Sequence, residues 1–322
     1  MGSTSPPTVV VSKCLGFEPC RYNGQIIADE LVARLRSHVT FIPICPELEI
    51  GLGAPRHPIR LVSVAGELRL IQPATQLDVT ERMQEYACSF LDSVGEVEGF
   101  ILKARSPSCG TRDVKVYPGV GKMGAISRAA GLFGRAVLER FAHLPIEDEG
   151  RLSNFAIREH FLTRLFTLSA FRSAKAAGAM NGLVRFHAEH KLLLMAYSQK
   201  ELRALGRIVA NPAHRPLAEV WAEYERHLHG ALARAPRCSA NINVLMHTLG
   251  YFSDQLSSAE KAYFLDSLEQ FRARRIPLSA SVGVVRAWIA RFGNDYLRQQ
   301  VYFSPYPEEL VSVTDSGKGR AC

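Results

Sequence analysis

The chain has 322 residues, 47% of them apolar, with a net charge of +8. That length suits two domains with real cores, and no run of about 18 apolar residues offers a membrane span. The start Met1-Gly2-Ser3-Thr4-Ser5 shows no basic-then-apolar leader, so the cytosol is the expected compartment, and seven cysteines there point to metal binding or catalysis rather than a disulfide framework. Thr8-Val9-Val10-Val11 reads as a short buried strand, and it runs into Ser12-Lys13-Cys14-Leu15-Gly16 and on to Cys20-Arg21-Tyr22-Asn23-Gly24, a Gly/Pro-containing loop. Residues 25–37 have helical spacing. Phe41-Ile42-Pro43-Ile44 is a second strand, ending at Cys45-Pro46-Glu47. The density of Gly and Pro from Gly51 to Pro58 predicts an ordered loop, and residues 60–64 and 67–71 form a hairpin around Ala65-Gly66. Asp78-Val79-Thr80 opens a helix to about Leu91. Gly99–Lys103 is a third strand, ending at Ser106-Pro107-Ser108-Cys109-Gly110.

Gly119-Val120-Gly121-Lys122-Met123-Gly124 is expected to open a helix through about Phe141. It matches the dinucleotide fingerprint in spacing, but no convincing strand precedes it, so NAD is not expected. Such a helix start could receive a phosphate, with Arg56 and Lys122 assisting. Strand–helix alternation predicts a parallel α/β domain over 1–145. From 146 to 311 the pattern is helical: 154–177, 182–208, 217–235, 240–251, 258–275 and 279–292. Ser258 reads as a helix cap without the capping-box partner. Residues 312–322 read as a disordered tail. Residues 1–145 carry 16 Lys+Arg and 14 Asp+Glu, and the rest carries 23 and 17, so +6 of the charge lies in the second half. That excess suits a polyanionic partner.

Three strands that each deliver a cysteine on a turn place Cys14, Cys45 and Cys109 where open α/β sheets build their sites. Paired C-x-x-C knuckles of a zinc ribbon are absent. Widely separated single cysteines suit an iron–sulfur cluster instead. Cys88, inside a helical pattern, and Cys238 read as small buried hydrophobes, and Cys322 lies in the tail. His187 and His190 are three apart and could share a helix face, even as metal ligands. Arg272, Arg274 and Arg275 form a basic cluster, followed by Arg286, Arg291 and Arg298; RNA-backbone contact and a solvated face are both open readings.

Ser-Lys-Cys-Leu-Gly with Cys-Arg-Tyr-Asn-Gly, Cys-Pro-Glu with Gly-Leu-Gly-Ala-Pro-Arg, and Ser-Pro-Ser-Cys-Gly, in that order, resemble the thiouracil desulfurase (TudS) family over about 8–140. The resemblance implies a 4Fe–4S cluster held by Cys14, Cys45 and Cys109 with one iron open to substrate. It makes Glu47 the proton-transfer group and Ser106 a partner of the pyrimidine or the water. Cys20 becomes a supporting or sulfur-handling residue able to exchange roles with Cys14. Lys13 stands where the family often has Ala, and Asn23 where it often has Asp; neither removes a ligand. His187-x-x-His190-Lys191-Leu192-Leu193-Leu194-Met195, Gly250-Tyr251-Phe252, Ile276-Pro277-Leu278 and Tyr302-x-x-Pro305-Tyr306-Pro307 resemble the YbgA-type domain of unknown function. The fusion resembles the RudS desulfidases, which act on 4-thiouridine in tRNA. The implied protein is a cluster-dependent, non-redox tRNA 4-thiouridine desulfidase whose basic helical half holds RNA through Lys191, Arg272, Arg274, Arg275, Arg286 and Arg291. Desulfuration of free thiouracil or thio-nucleotides is the first rival. A non-catalytic iron–sulfur sensor or RNA-binding protein is the second.

Overall fold

The structure is a computed structural model that describes residues 5–121 and 123–311. Lys122, Cys322 and the expected tail at 312–322 lie outside the described residues.

Contacts divide the chain into two compact units, one of residues 5–169 with 306–311, the other of residues 170–305. The first contains β1 (Thr8–Ser12), α1 (Glu30–Leu35), β2 (Thr40–Ile44), α2 (Pro46–Glu49), β3 (Arg60–Val64), β4 (Glu67–Gln72), β5 (Leu77–Asp78), α3 (Thr80–Ser93), β6 (Gly99–Leu102), β7 (Val114–Tyr117), β8 (Ser127–Ala129), α4 (Leu132–Arg140), β9 (Ile146–Asp148), α5 (Glu149–Leu152) and the start of α6 (Phe155–Ala176). A four-stranded parallel sheet has the order β2-β1-β6-β9. β1 is central, and Val9, Val10 and Val11 are fully buried, as a strand covered on both faces requires. Ser12 pairs with Ile44, and Val11 with Ile101, so the loops after β1, β2 and β6 leave one edge of the sheet. The predicted hairpin forms with Arg60 opposite Ile71 and Val64 opposite Glu67. It belongs to a second sheet, β5-β4-β3-β7-β8.

Several elements differ from the expectations. α1 is shorter, because Asp29 caps it by accepting from the Val32 amide at 2.8 Å. Among the described residues of Gly119–Gly124 no helix starts. That stretch joins the antiparallel strands β7 and β8, and α4 begins only at Leu132, so the expected phosphate-receiving helix start is absent there. Ile146–Asp148, expected as the opening of the helical half, is the fourth parallel strand. Phe161, Leu162 and Leu165 of α6, with Tyr306 and Leu310, pack among Val9, Val11 and Ile101, which carries the first unit past residue 145. Cys88 is exposed rather than buried. The buried stripe of α3 runs Thr80, Met83, Ala87 and Leu91, and Cys88 falls one position outside it.

The second unit is helical: the rest of α6, then α7 (Met180–Glu189), α8 (Lys191–Tyr197), α9 (Gln199–Ala210), α10 (Leu217–Leu232), α11 (Cys238–Gly250), α12 (Ser258–Arg272), α13 (Leu278–Phe292) and α14 (Asp295–Arg298). The single helix expected over 182–208 is three, broken at His190 and at Ser198, whose hydroxyl caps α9. The cap of α12 is Ser257, and it does form a capping box, with Glu260. Phe252, Phe264 and Trp288 centre the core, with Leu193, Leu245 and Val285 among their buried neighbours. Among the described residues no helix is long and apolar enough to cross a membrane.

Candidate iron–sulfur site

Three loops meet over the C-terminal edge of the parallel sheet and enclose a cavity of about 380 Å³. Cys14 and Cys20 come from the loop after β1, Cys45 from the N-terminal cap of α2, and Cys109 from the turn after β6. The Lys13 amide donates to the Ile44 carbonyl at 2.7 Å, which fixes the first two loops side by side. The Lys103 amide donates to the Ser12 hydroxyl at 2.8 Å, which fixes the third.

The Cys109 turn is seated on the start of α4. The Gly131 amide donates to the Gly110 carbonyl at 2.7 Å, and the Gly134 amide to the Ser108 carbonyl at 2.9 Å. A Cβ at Gly134 would lie 2.5 Å from the Gly110 oxygen and 2.6 Å from the Cys109 oxygen. Glycine is therefore required for the approach, and it is the approach that places Cys109.

Glu47 projects from the first turn of α2. One carboxylate oxygen, Oε2, is held by Arg56 through Nε at 2.8 Å and through Nη2. The guanidinium also donates to the carbonyls of Cys20, 2.9 Å, and Gly53, 2.8 Å. Both charged side chains are buried, Arg56 to 5% and Glu47 to 12% exposure. Oε1 accepts from Ser108 at 2.6 Å and lies 3.5 Å from the Ser106 hydroxyl. The two hydroxyls are 2.9 Å apart, and Ser106 accepts from the Cys109 amide at 3.2 Å. The arrangement is a carboxylate fixed on one oxygen, with its other oxygen in a hydroxyl pair beside a thiol.

The Cys45 thiol donates to the Cys20 carbonyl at 3.8 Å. The neighbouring Cys14 thiol, with burial, pushes the Cys20 thiol up to about 11. The neighbouring Cys20 thiol, with burial, raises Cys45. Burial pushes Cys109 up to about 12. Crowded, buried thiols of this kind stay protonated until a cation among them favours thiolate. Among the described residues no three His, Cys, Asp or Glu side chains close on a point as they would for a single metal ion. Four soft donors instead ring a cavity that is larger than one ion needs, and that donor set fits a polynuclear iron–sulfur group.

The structure thus brings Cys14, Cys20, Cys45, Cys109, Glu47 and Ser106 together. Ser108, Arg56 and Gly134 are equally part of the assembly, though sequence reasoning did not give them these places. Ser108 was visible as the second Ser of Ser-Pro-Ser-Cys. Arg56 is neither a phosphate ligand nor a solvated surface residue, because Glu47 neutralises it in the interior. His187 and His190 do not share a ligand position. His187 Nδ1 is 3.1 Å from the Tyr224 hydroxyl, and His190 Nδ1 is 2.8 Å from the Phe186 carbonyl, inside the core. Lys191, Arg272, Arg274, Arg275, Arg286 and Arg291 are all exposed on the helical unit. Arg272 pairs with Glu269 at 3.1 Å and Arg291 with Glu260 at 2.7 Å.

The family described as 2-thiouracil desulfurase matches residues 9–149, and the one described as a protein of unknown function (DUF1722) matches residues 191–307. The uncharacterized protein YbbK of Bacillus subtilis (strain 168) is 35% identical over 137 residues, covering 38% of this chain and 91% of that protein. The uncharacterized protein YbgA of Escherichia coli (strain K12) is 28% identical over 158 residues, covering 48% of this chain and 93% of that protein. A solved structure described as a 4Fe–4S-dependent thiouracil desulfidase, TudS, is 29% identical, with a TM-score of 0.34, and covers 45% of this chain and 93% of that one. The chain belongs to the 2-thiouracil desulfurase family and joins to that domain a second one of the DUF1722, YbgA-like type.

Proposed function

We propose that this protein is a 4Fe–4S cluster-dependent, non-redox desulfidase that converts 4-thiouridine in tRNA to uridine and sulfide. The observation that carries the reading is the cavity at the sheet edge, lined by four thiols and by a carboxylate whose Oε2 is held by Arg56 and whose Oε1 accepts from Ser108. Cys14, Cys45 and Cys109 would hold the cluster, with Cys20 in the same cavity and able to stand in for Cys14. Bound there with one iron open, the cluster supplies a soft Lewis acid that suits a thiocarbonyl sulfur.

The chain's own residues supply the rest. Glu47 Oε1 accepts a proton from the attacking water, while Arg56 fixes Oε2 and so the direction of the free lone pairs. Ser108 and Ser106 bond Oε1 and orient the water or the pyrimidine edge. A C–O bond forms, the C–S bond breaks, and sulfur leaves as sulfide with no change in oxidation state. The proton held on Glu47 is then available to the ring nitrogen or the departing sulfur.

The exposed arginines of the helical unit, on the half that carries +6, supply the reading of that unit as the tRNA anchor. Exposed pairs such as Arg272–Glu269 are weak enough to be exchanged for phosphate contacts. Action on free thiouracil is the second reading, favoured by the family's own description. Anaerobic reconstitution followed by sulfide release from thiolated tRNA and from free 2-thiouracil separates the two. Faster turnover of the tRNA supports the first, and turnover of the free base alone supports the second.

A further inference from the structure

A second cavity, of about 490 Å³, shares the walls Pro58, Ile59, Arg105 and Pro107 with the cysteine cavity. Four cations line it: Arg60 on β3, Arg105 in the turn after β6, Lys115 on β7 and Arg128 on β8. Asp113 is the one carboxylate in its lining. Asp113 reaches Arg128 at 3.8 Å, with both side chains about 60% exposed, a pair that solvent largely screens. Among the described residues Arg60, Arg105 and Lys115 have no carboxylate partner. Arg60 lies over the Tyr117 ring at 4.8 Å, a contact that keeps its guanidinium beside another lining residue of the cavity.

Two features are unfavourable for folding alone. Lys115 and Arg128 are direct partners across the β7–β8 ladder, where like charges repel. Arg105 adopts a left-handed backbone, φ +58°, that a side chain other than glycine pays for in strain. That conformation accompanies the placement of the Arg105 side chain at the wall common to both cavities. Unpaired cations on three separate segments, around one hollow, are suited to a polyanion with oxygens on several sides.

We propose that this second cavity is a phosphate subsite, which receives the phosphate of a thiolated pyrimidine nucleotide while its base occupies the cysteine cavity. The proposal rests on the desulfidase reading of the first cavity. The phosphate belongs either to a free nucleotide or to the backbone of an RNA, and the shared chemistry is a phosphate ester attached to the base through ribose. Recognition of the substrate then begins within the α/β unit itself, before any contribution from the helical one.

The test uses the full, cluster-loaded chain and the double variant Lys115→Ser/Arg128→Ser, two residues that line only the second cavity. Sulfide release is measured on 4-thiouridine, on 4-thiouridine 5′-monophosphate and on thiolated tRNA, and binding of uridine 5′-monophosphate is measured by calorimetry. The wild type should favour the monophosphate over the nucleoside about tenfold or more in kcat/KM, with the difference in KM. The double variant should lose most of that preference and bind uridine 5′-monophosphate at least about fivefold more weakly. Equal kcat/KM for nucleoside and nucleotide in the wild type, or an undiminished preference and affinity in the variant, overturns the subsite. If thiolated tRNA is not processed while the monophosphate preference persists and collapses in the variant, the subsite stands with a free nucleotide as its source, and the tRNA reading falls. If the variant leaves tRNA turnover unchanged and no monophosphate preference exists, the subsite falls and the desulfidase reading stands.

Discussion

The two units differ in what their buried polar groups face. In the α/β unit, one group of buried side chains faces a hollow: Ser12, Cys45, Ser108 and Cys109 are each under 10% exposed and all line one cavity. Ser108 bonds Glu47 and reaches the Cys109 sulfur, so a low-dielectric hollow contains groups that fold stability alone does not call for. In the helical unit, several buried polar groups are paired within the packed core. Thr248 bonds the Val244 carbonyl at 2.8 Å, Ser267 meets Ser281 at 3.1 Å, and Tyr302 donates to Asn241 at 2.9 Å. The contrast teaches that chemistry lives where satisfied polar groups still face a space, and that the helical unit offers its charges outward.

The largest effect expected from that contrast is on the cluster. Cys14→Ala, Cys45→Ala and Cys109→Ala should each abolish stable iron binding and the brown absorption after anaerobic reconstitution. Cys88→Ala and Cys238→Ala should leave both intact. Full iron content in any of the first three would remove that residue from the ligand set and promote Cys20. Next, Glu47→Gln should keep the iron while lowering turnover by roughly 10²–10⁴, the usual range for a lost general acid–base. Near-normal sulfide release from a loaded Glu47→Gln protein would assign water activation elsewhere. Gly134→Ala sharpens the comparison from the backbone side. Its methyl meets two carbonyl oxygens that have no free end to move, and overpacking of this kind costs about 1–3 kcal/mol. Lower cluster content and a lower melting temperature should appear together, since the same turn carries Cys109.

Each unit also carries a histidine that burial holds low and that acid should reveal, His160 in the first and His190 in the second. Burial holds His190 at about 4 against an ordinary value of 6.5, and its Nδ1 must donate to the Phe186 carbonyl. The folded state binds the proton less tightly than the unfolded one. Stability is therefore complete above about pH 6.5 and is lost as pH falls toward 4, by about 3 kcal/mol in total. His190→Asn, which keeps a donor but does not titrate, should flatten that loss in urea unfolding curves at pH 7 and pH 5. An unchanged pH dependence would place the acid sensitivity on another group. The smallest effect belongs to the surface: charge reversal at Arg274 and Arg275 should weaken tRNA binding a few-fold at low salt, less at high salt, with the iron content untouched. Salt-independent binding, equal in both proteins, would remove these arginines from the RNA contact.

Much of this was legible before the structure. Val9–Val11 and Phe100–Ile101 announce buried strands because both faces need apolar side chains, and each is followed by turn residues that carry a cysteine. The hairpin of 60–64 with 67–71 was legible around Ala65-Gly66, and it forms with Arg60 opposite Ile71. What was not legible depends on contacts distant in sequence. Ile146–Asp148 is too short to signal a strand without β6 beside it. Arg56 looks like any loop arginine until Glu47, nine residues back, is folded against it. The Gly119–Gly124 spacing suggested a helix start, but a spacing of glycines also suits the link between two antiparallel strands, and only the pairing of β7 with β8 decides between them. Cys88 shows the limit of periodicity, since one position of rotation on α3 separates core from solvent.

The most direct measurement is the stoichiometry of sulfide and uridine formed from thiolated tRNA by the anaerobically reconstituted full chain, without added reductant, beside the same protein carrying Cys109→Ala. One sulfide per uridine formed, over many turnovers and only with Cys109 present, is the expected result. Uridine formation by the Cys109→Ala protein, or no sulfide from any thiolated pyrimidine despite a full cluster, would contradict a cluster-dependent desulfidase at this cavity.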